Sequence, residues 1–282
     1  KIYILNFIVK NLLVLLSFLF FHSSSNLIDG EIIETKVSFS FFNAGKASML
    51  VDNKIHFVND LPCYKIDVYG RTTGFFDFFA RVRDNWGVYI DTISYTPQKF
   101  YKYLQEGKYK KNEILRFNTQ PLDSVEVIIL DKETKEEKDR IYYHSKNQFK
   151  DIMRGYFMNY WISSVFYLRS LDYSQISIDT LIEIPFLSDK GKYNYKMKYL
   201  GSKKIKSLNK KSLSALTFSP VVPENKLFSG ESPVTFWLSD DDRKIPLRLS
   251  ASMRFGEFDI ETVDFDNMID DKSKEIIYNK YK

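Results

Sequence analysis

From Gly30 onward the apolar positions recur with a period of two. Ile33, Thr35, Val37, Phe39 and Phe41 alternate with polar partners, and Ala47, Met49 and Val51 do so again after Asn43-Ala44-Gly45. Alternation at this period sends successive side chains to opposite faces of a strand, so the stretch predicts a β-hairpin that turns at residues 43–45. A third strand is expected at residues 64–69, after Asn59-Asp60-Leu61-Pro62, with Cys63 buried beside it as a small hydrophobe. Gly70 and Gly74 bracket a break. Residues 75–82 then predict a short helical turn that lays four Phe side chains against the sheet. Aromatic and β-branched runs follow at residues 88–91, 98–106, 110–117 and 124–130, at the spacing of a meandering antiparallel sheet. The mixed-sign run at 131–140 (DKETKEEKDR) predicts a solvated hairpin tip or loop.

Only once does the period lengthen to 3.6. Over residues 147–170, Phe149, Ile152, Met153, Tyr156, Phe157, Tyr160, Trp161, Val165 and Leu168 fall at three- and four-residue spacing, which predicts a helix with a broad apolar face. Such a face needs apolar surface to cover, and among antiparallel strands that surface is the concave side of a curved sheet. Strands are expected again at 176–186, 193–200, 213–219, 234–238, 245–253 and 257–265, before a polar tail at 267–282. The expected fold is mainly β (α+β): a curved antiparallel sheet or half-open barrel, one long helix over its concave face, and a single domain across residues 26–266.

Composition sharpens this picture in three ways. Aromatic residues make up 16% of the 282-residue chain, which suits half-buried pleated surfaces. Residues 1–25 read as an export signal, with Lys1 and Lys10 as the positive flank, an apolar run at 12–21 and small polar residues at His22-Ser23-Ser24-Ser25. The competing expectation is an uncleaved anchor in the inner membrane, with Lys10 snorkelling. Either way the expected address is the periplasm or envelope of a double-membraned bacterium, with membrane contact only through this segment and a monomeric domain. With Cys63 as the single cysteine, no intrachain disulfide can form, and the core alone must hold the fold.

The formal charge is +5, and removing Lys1 and Lys10 from the 41 basic residues against 36 acidic ones leaves +3. Nucleic-acid binders gather their cations on one face. Here the densest run, KKIKSLNKK at 203–211, reads as the solvated side of a hairpin, and no nucleic acid is expected.

Candidate chemistry concentrates in two stretches that set aromatic residues beside Arg and Asp: GRTTGFFDFFARVRDNW at 70–86 and TFWLSDDDRKIPLR at 235–248. Arg71, Arg81, Arg83 and Asp84 near Asp77 suit a buried ion network, with Trp86 and Trp237 as flat faces for guanidinium stacking. The candidate ligand or partner site comprises Arg71, Phe75, Phe76, Arg83, Asp84, Trp86, Tyr160, Arg169, Trp237 and Asp240. No catalytic residue is assigned. His22, His56 and His144 show no paired-His or His-x-Glu spacing, and no Gly-x-Ser-x-Gly elbow, Walker loop or Gly-x-Gly-x-x-Gly occurs. Asp240-Asp241-Asp242 lacks the alternating spacing and glycine of a calcium loop, so neither metal nor cofactor is assigned.

Five blocks resemble, in order, the bacterial exported proteins grouped as domain of unknown function 3108. They are GEIIETKVSFSFFNAGKASMLV, GRTTGFFDFFARVRDNWGVYID, YKYLQEGKYKKNEILRFN, YWISSVFYLRSLDY and FSGESPVTFWLSDDDRKIPLRLSASMRFGEFDIETVDF, spanning about residues 30–265. The resemblance implies a secreted or periplasmic β-rich domain with a signal peptide and carries no established activity. Where the family shows a Ser-Ala pair in the helix block this chain has Ser163-Ser164, and the tail lies beyond the resemblance. The expected function is non-enzymatic binding of an apolar or lipid-like ligand, or of an envelope partner, between helix and sheet. The competing expectations are a carbohydrate- or peptidoglycan-acting hydrolase using Asp77, Asp84 and the Asp240 cluster, and a structural envelope-assembly factor with an exposed apolar patch.

Overall fold

The structure is a computed structural model and describes residues 30–118, 124–144, 157–184, 195–207, 211–221 and 233–266. The first nine strands are β1 (Ile32–Phe39), β2 (Phe42–Val51), β3 (His56–Val58), β4 (Leu61–Thr72), β5 (Arg83–Asp91), β6 (Pro97–Glu106), β7 (Tyr109–Asn118), β8 (Ser124–Leu130) and β9 (Glu137–Tyr143). The remaining six are β10 (Leu181–Ile184), β11 (Tyr195–Ser207), β12 (Lys211–Pro220), β13 (Val234–Ser239), β14 (Pro246–Met253) and β15 (Gly256–Asp266). Two α-helices accompany them, α1 (Gly74–Phe79) and α2 (Phe157–Ser170).

All pairings are antiparallel, in the order β10-β11-β12-β13-β14-β15-β1-β2-β4-β5-β6-β7-β8-β9, with β3 on β4. Most sequence neighbours pair, β2 skips β3 to pair with β4, and β15 closes back on β1 and so joins the two halves of the chain. The sheet is not closed into a barrel: β9 and β10 are its edges. On β9, Glu137, Lys138, Asp139 and Arg140 are exposed, and charges on an edge discourage pairing with another chain. The charged run, expected as a solvated hairpin tip or loop, supplies the tip at 131–136 and then the first residues of strand β9.

Several other expectations shift. The turn expected at Asn43-Ala44-Gly45 sits instead at Ser40-Phe41, where Ser40 adopts φ 52°. Residues 43–45 form a β-bulge: Val37 faces Gly45 while Ser38 faces Asn43, so Ala44 is the extra residue. Strand β5 begins at Arg83, five residues before the expected start, and β10 begins at Leu181 because a 3-10 turn at Tyr173–Gln175 precedes it. The signal segment, the tail and residues 147–156 of the expected helix lie outside the described residues.

Helix α2 lies on the concave face and divides the core into two. Ile162 and Phe166 pack with Val51, Tyr64, Ile66, Val88, Phe100, Leu115 and Val127 of β2 to β8. Val165 and Leu168 pack with Ile184, Met197, Phe218, Phe236 and Leu238 of β10 to β13. One helix thus covers both halves of the sheet, which is why its apolar arc is so wide. Asn159, fully buried, donates from Nδ2 to the carbonyls of Gly87 and Tyr101, each at 2.8 Å, and so pins the helix to β5 and β6. On the convex face the Tyr101 ring covers Gly87, where a Cβ would collide with it, and its hydroxyl donates to Asp67.

Candidate functional site

Between the two cores the central strands carry small side chains. Ala47 faces Thr35 on one side and Gly70 on the other, and Gly45 faces Val37 and Thr72. Gly45 has no room for a Cβ, which would collide with the Arg71 carbonyl, and the Trp86 ring lies over Gly70. This run of small residues beneath α2 leaves a cavity of about 400 Å³. Its floor is β14, β15, β1, β2 and β4, represented by Leu249, Ile260, Val37, Ala47 and Val68, and its roof is Met158, Trp161, Ile162 and Val165 of α2. The walls are overwhelmingly apolar. Among the described residues the charged ones in the lining are Lys46, Arg71 and Arg248, and each neighbours a cavity-facing residue on its strand, so its side chain leaves on the opposite face of the sheet.

Next to the cavity, two residues before Ile33, Glu31 forms a fully buried pair with Arg169 on the last turn of α2, at 2.6 and 3.0 Å. Arg169 also donates to the carbonyl of Arg243, whose own guanidinium reaches Glu31 at 3.3 Å. Arg169 is thus one of the predicted site residues, but it works as a clamp between helix and β1, with Glu31 and Arg243 as unforeseen partners. Tyr160 lies in the adjoining core rather than in the cavity lining.

The candidate stretch at 70–86 splits between three surroundings. Trp86 and Arg71 line the cavity. Arg83 pairs with Asp77 at 2.6 Å, and Thr72 donates to the same carboxylate, which ties α1 to the ends of β4 and β5. These two hydrogen bonds hold the Asp77 carboxyl down at about 2. Asp84 stands apart. It is buried, accepts from the Gln105 backbone N–H at 2.8 Å, and burial pushes its carboxyl up to about 6, with Glu106 adding to the rise.

The four Phe of α1 do not pack against the sheet as expected. Phe75, Phe78 and Phe79 are 70%, 84% and 68% exposed, and only Phe76 is half-buried. Helix α1 is six residues long and four of them are Phe, so the rings point all round its axis and only one side can meet β2.

Downstream, Trp237 faces Arg248 across β13 and β14, with the guanidinium 5.8 Å from the ring centre. Asp240 accepts from Ser202 and Ser214, and Asp241 caps the turn by accepting from Ser239 and the N–H groups of Arg243 and Lys244. Asp84 lines a surface hollow with Asn85, Tyr103 and Lys110, and among the described residues neither Asp77 nor Asp240 is in that lining. Among the described residues, no group of three His, Cys, Asp or Glu is placed to hold a metal ion, and no helix is long and apolar enough to cross a membrane.

The residues that sequence reading missed are those that make the cavity by being small. Gly45, Ala47 and Met49 follow one another on a single face of β2, and that local signal was available. Their alignment with Gly70 on β4 was not.

Comparison with known proteins adds little chemistry. No curated protein matches the chain. Among solved structures, the chain is similar to a crystal structure described as a beta-barrel-like protein of domain of unknown function DUF1849 from Brucella abortus. That similarity has 7% identity, covers 86% of this chain and 100% of that one, and has a TM-score of 0.43. A family model described as Protein of unknown function (DUF3108) matches residues 34–263, and the chain belongs to that family.

Proposed function

We propose that this chain is an exported, non-enzymatic protein of the bacterial envelope that binds an apolar, lipid-like ligand between α2 and the concave face of the sheet. The observation that carries the reading is the cavity of about 400 Å³ under the helix, with apolar walls and a floor of small residues in register. Ligand pockets generally fall between about 300 and 1,000 Å³ and combine apolar walls with a few polar groups. The walls are almost wholly apolar, which favours the acyl part of an amphiphile. The envelope address rests on residues 1–25 of the sequence.

Ala47→Trp tests the reading, because an indole at that position fills the floor of the cavity. Titration with the fluorescent apolar probe 1-N-phenylnaphthylamine is expected to saturate on the wild type and to lose at least tenfold in affinity on the variant. Native mass spectrometry of protein purified gently from an envelope is expected to show a bound acyl species. Equal probe binding by a folded Ala47→Trp protein would discard the cavity as the site.

A further inference from the structure

Six of the largest exposed apolar side chains are gathered at one end of the sheet. Phe41 and Phe42 at the β1–β2 turn are 85% and 52% exposed, Phe255 at the β14–β15 turn is 85% exposed, and Phe75, Phe78 and Phe79 project from α1. Backbone hydrogen bonds hold these tips side by side: Ser40 N–H donates to Glu257 at 2.6 Å, and Thr73 N–H donates to Ala44 at 3.1 Å. The cavity extends to this same end, where Val37, Gly45, Thr72 and Val82 are part of its lining.

A second, independent feature lies just below the tips. Lys36, Lys46, Arg71 and Arg83 stand directly opposite one another on β1, β2, β4 and β5, one cation per strand. Like charges in directly opposed positions destabilise a sheet. Glu261 and Asp77 balance the two ends of this row, through Lys36 and Arg83. Lys46, in the middle, is exposed, and Arg81 and Arg254 add two more exposed cations beside the aromatic tips. The row lies four to five residues from the β1–β2 tip, roughly 13–16 Å at about 3.3 Å per residue. Amphipathic surfaces settle about 5–10 Å into the headgroup boundary, which brings the flexible ends of such cations to the level of lipid phosphates.

We infer that this end of the sheet docks on an anionic lipid surface, with the Phe tips inserted and the cation row against the headgroups. The inference deepens the reading of the cavity as an apolar-ligand site, since docking here sets the cavity against the hydrocarbon from which a lipid would enter. A lipid surface fits better than a second protein because the rings stand on three separate tips. A fluid bilayer receives each ring without a matching pocket, whereas a protein partner would have to supply one for every tip.

The test places an environment-sensitive nitrobenzoxadiazole label at Phe78→Cys in the full chain, with Phe255→Cys as a second variant should the first fail to fold. Ile93→Cys serves as the control, because Ile93 is 84% exposed but lies in the β5–β6 turn at the opposite end. On phosphatidylethanolamine vesicles containing phosphatidylglycerol, emission from positions 78 and 255 is expected to rise and shift to the blue, while position 93 stays unchanged. A local label reads insertion of these tips even when the apolar N-terminal run holds the chain to the vesicle. Lys46→Glu combined with Arg254→Glu is expected to weaken the response at least tenfold, and added salt to weaken it further. A vesicle-bound protein whose labels stay in water, or an equal response at position 93, would overturn the docking surface. So would a response that appears without vesicles and grows with protein concentration, which would assign the tips to a second copy of this chain. Probe binding measured without vesicles reports the cavity alone, so the two readings fail separately.

Discussion

Replacing Glu31 by Leu removes the acid that holds Arg169 in place. Both side chains are fully buried, and the pair is bidentate, at 2.6 and 3.0 Å. Without Glu31, Arg169 still donates to the Arg243 carbonyl but loses its buried carboxylate, and the Arg243 guanidinium that had faced Glu31 is left beside a second cation. Breaking a buried ion pair by deleting one partner costs about 3–5 kcal/mol, because the remaining charge stays desolvated. At about 2–4 °C per kcal/mol for a domain of this size, a loss near 4 kcal/mol lowers Tm by about 8–16 °C. Arg169→Met alone is expected to cost a similar amount. The double variant is expected to be more stable than either single one, since an apolar pair of similar volume needs no partner. Urea unfolding followed by tryptophan fluorescence gives all three values, and Trp161 on α2 reports release of the helix directly. A loss below about 1 kcal/mol in Glu31→Leu, or losses that simply add in the double variant, would refute the idea that this pair clamps helix to sheet.

Three further outcomes follow from local geometry. Asp84 has a folded carboxyl value raised to about 6, so its ionisation opposes the fold as pH rises from about 4 through 6. Two units correspond to about 2–3 kcal/mol, and the stability of the wild type relative to Asp84→Asn is expected to fall by that order between pH 4 and pH 7; parallel pH profiles would contradict it. Gly87→Ala puts a methyl group into the Tyr101 ring and is expected to destabilise by about 1–3 kcal/mol, an effect that Tyr101→Ala relieves in the double variant. Cys63 is buried, and burial with Asp91 nearby pushes its thiol up to about 11, so alkylation by iodoacetamide at pH 8 is expected only after unfolding. Mass analysis of the native protein after alkylation checks this.

Much of the architecture is written in local pattern. Alternation along residues 33–51, 98–117 and 245–265 marks strands without knowledge of their partners, because the two faces of a strand differ only through period two. The wide apolar arc of α2 likewise announced a helix with a large surface to cover, and the short spacing between strands announced antiparallel neighbours. What pairing alone decided begins with Asn43-Ala44-Gly45. Those residues suit a turn in isolation and become a bulge only because Gly45 must approach the Arg71 carbonyl on β4. The exposure of the α1 rings escaped periodicity, since in a six-residue helix with four Phe around its axis only the Asp77 side is anchored, and that anchoring depends on Arg83 of β5. Arg169 and Glu31 are 138 positions apart, and no local signal joins an acid at the start of one strand to a base at the end of a distant helix. The cavity was the least legible feature of all. A cavity is a place that side chains do not reach, and whether Gly45, Ala47 and Gly70 leave space depends on their coming into register beneath a helix that begins only at Phe157.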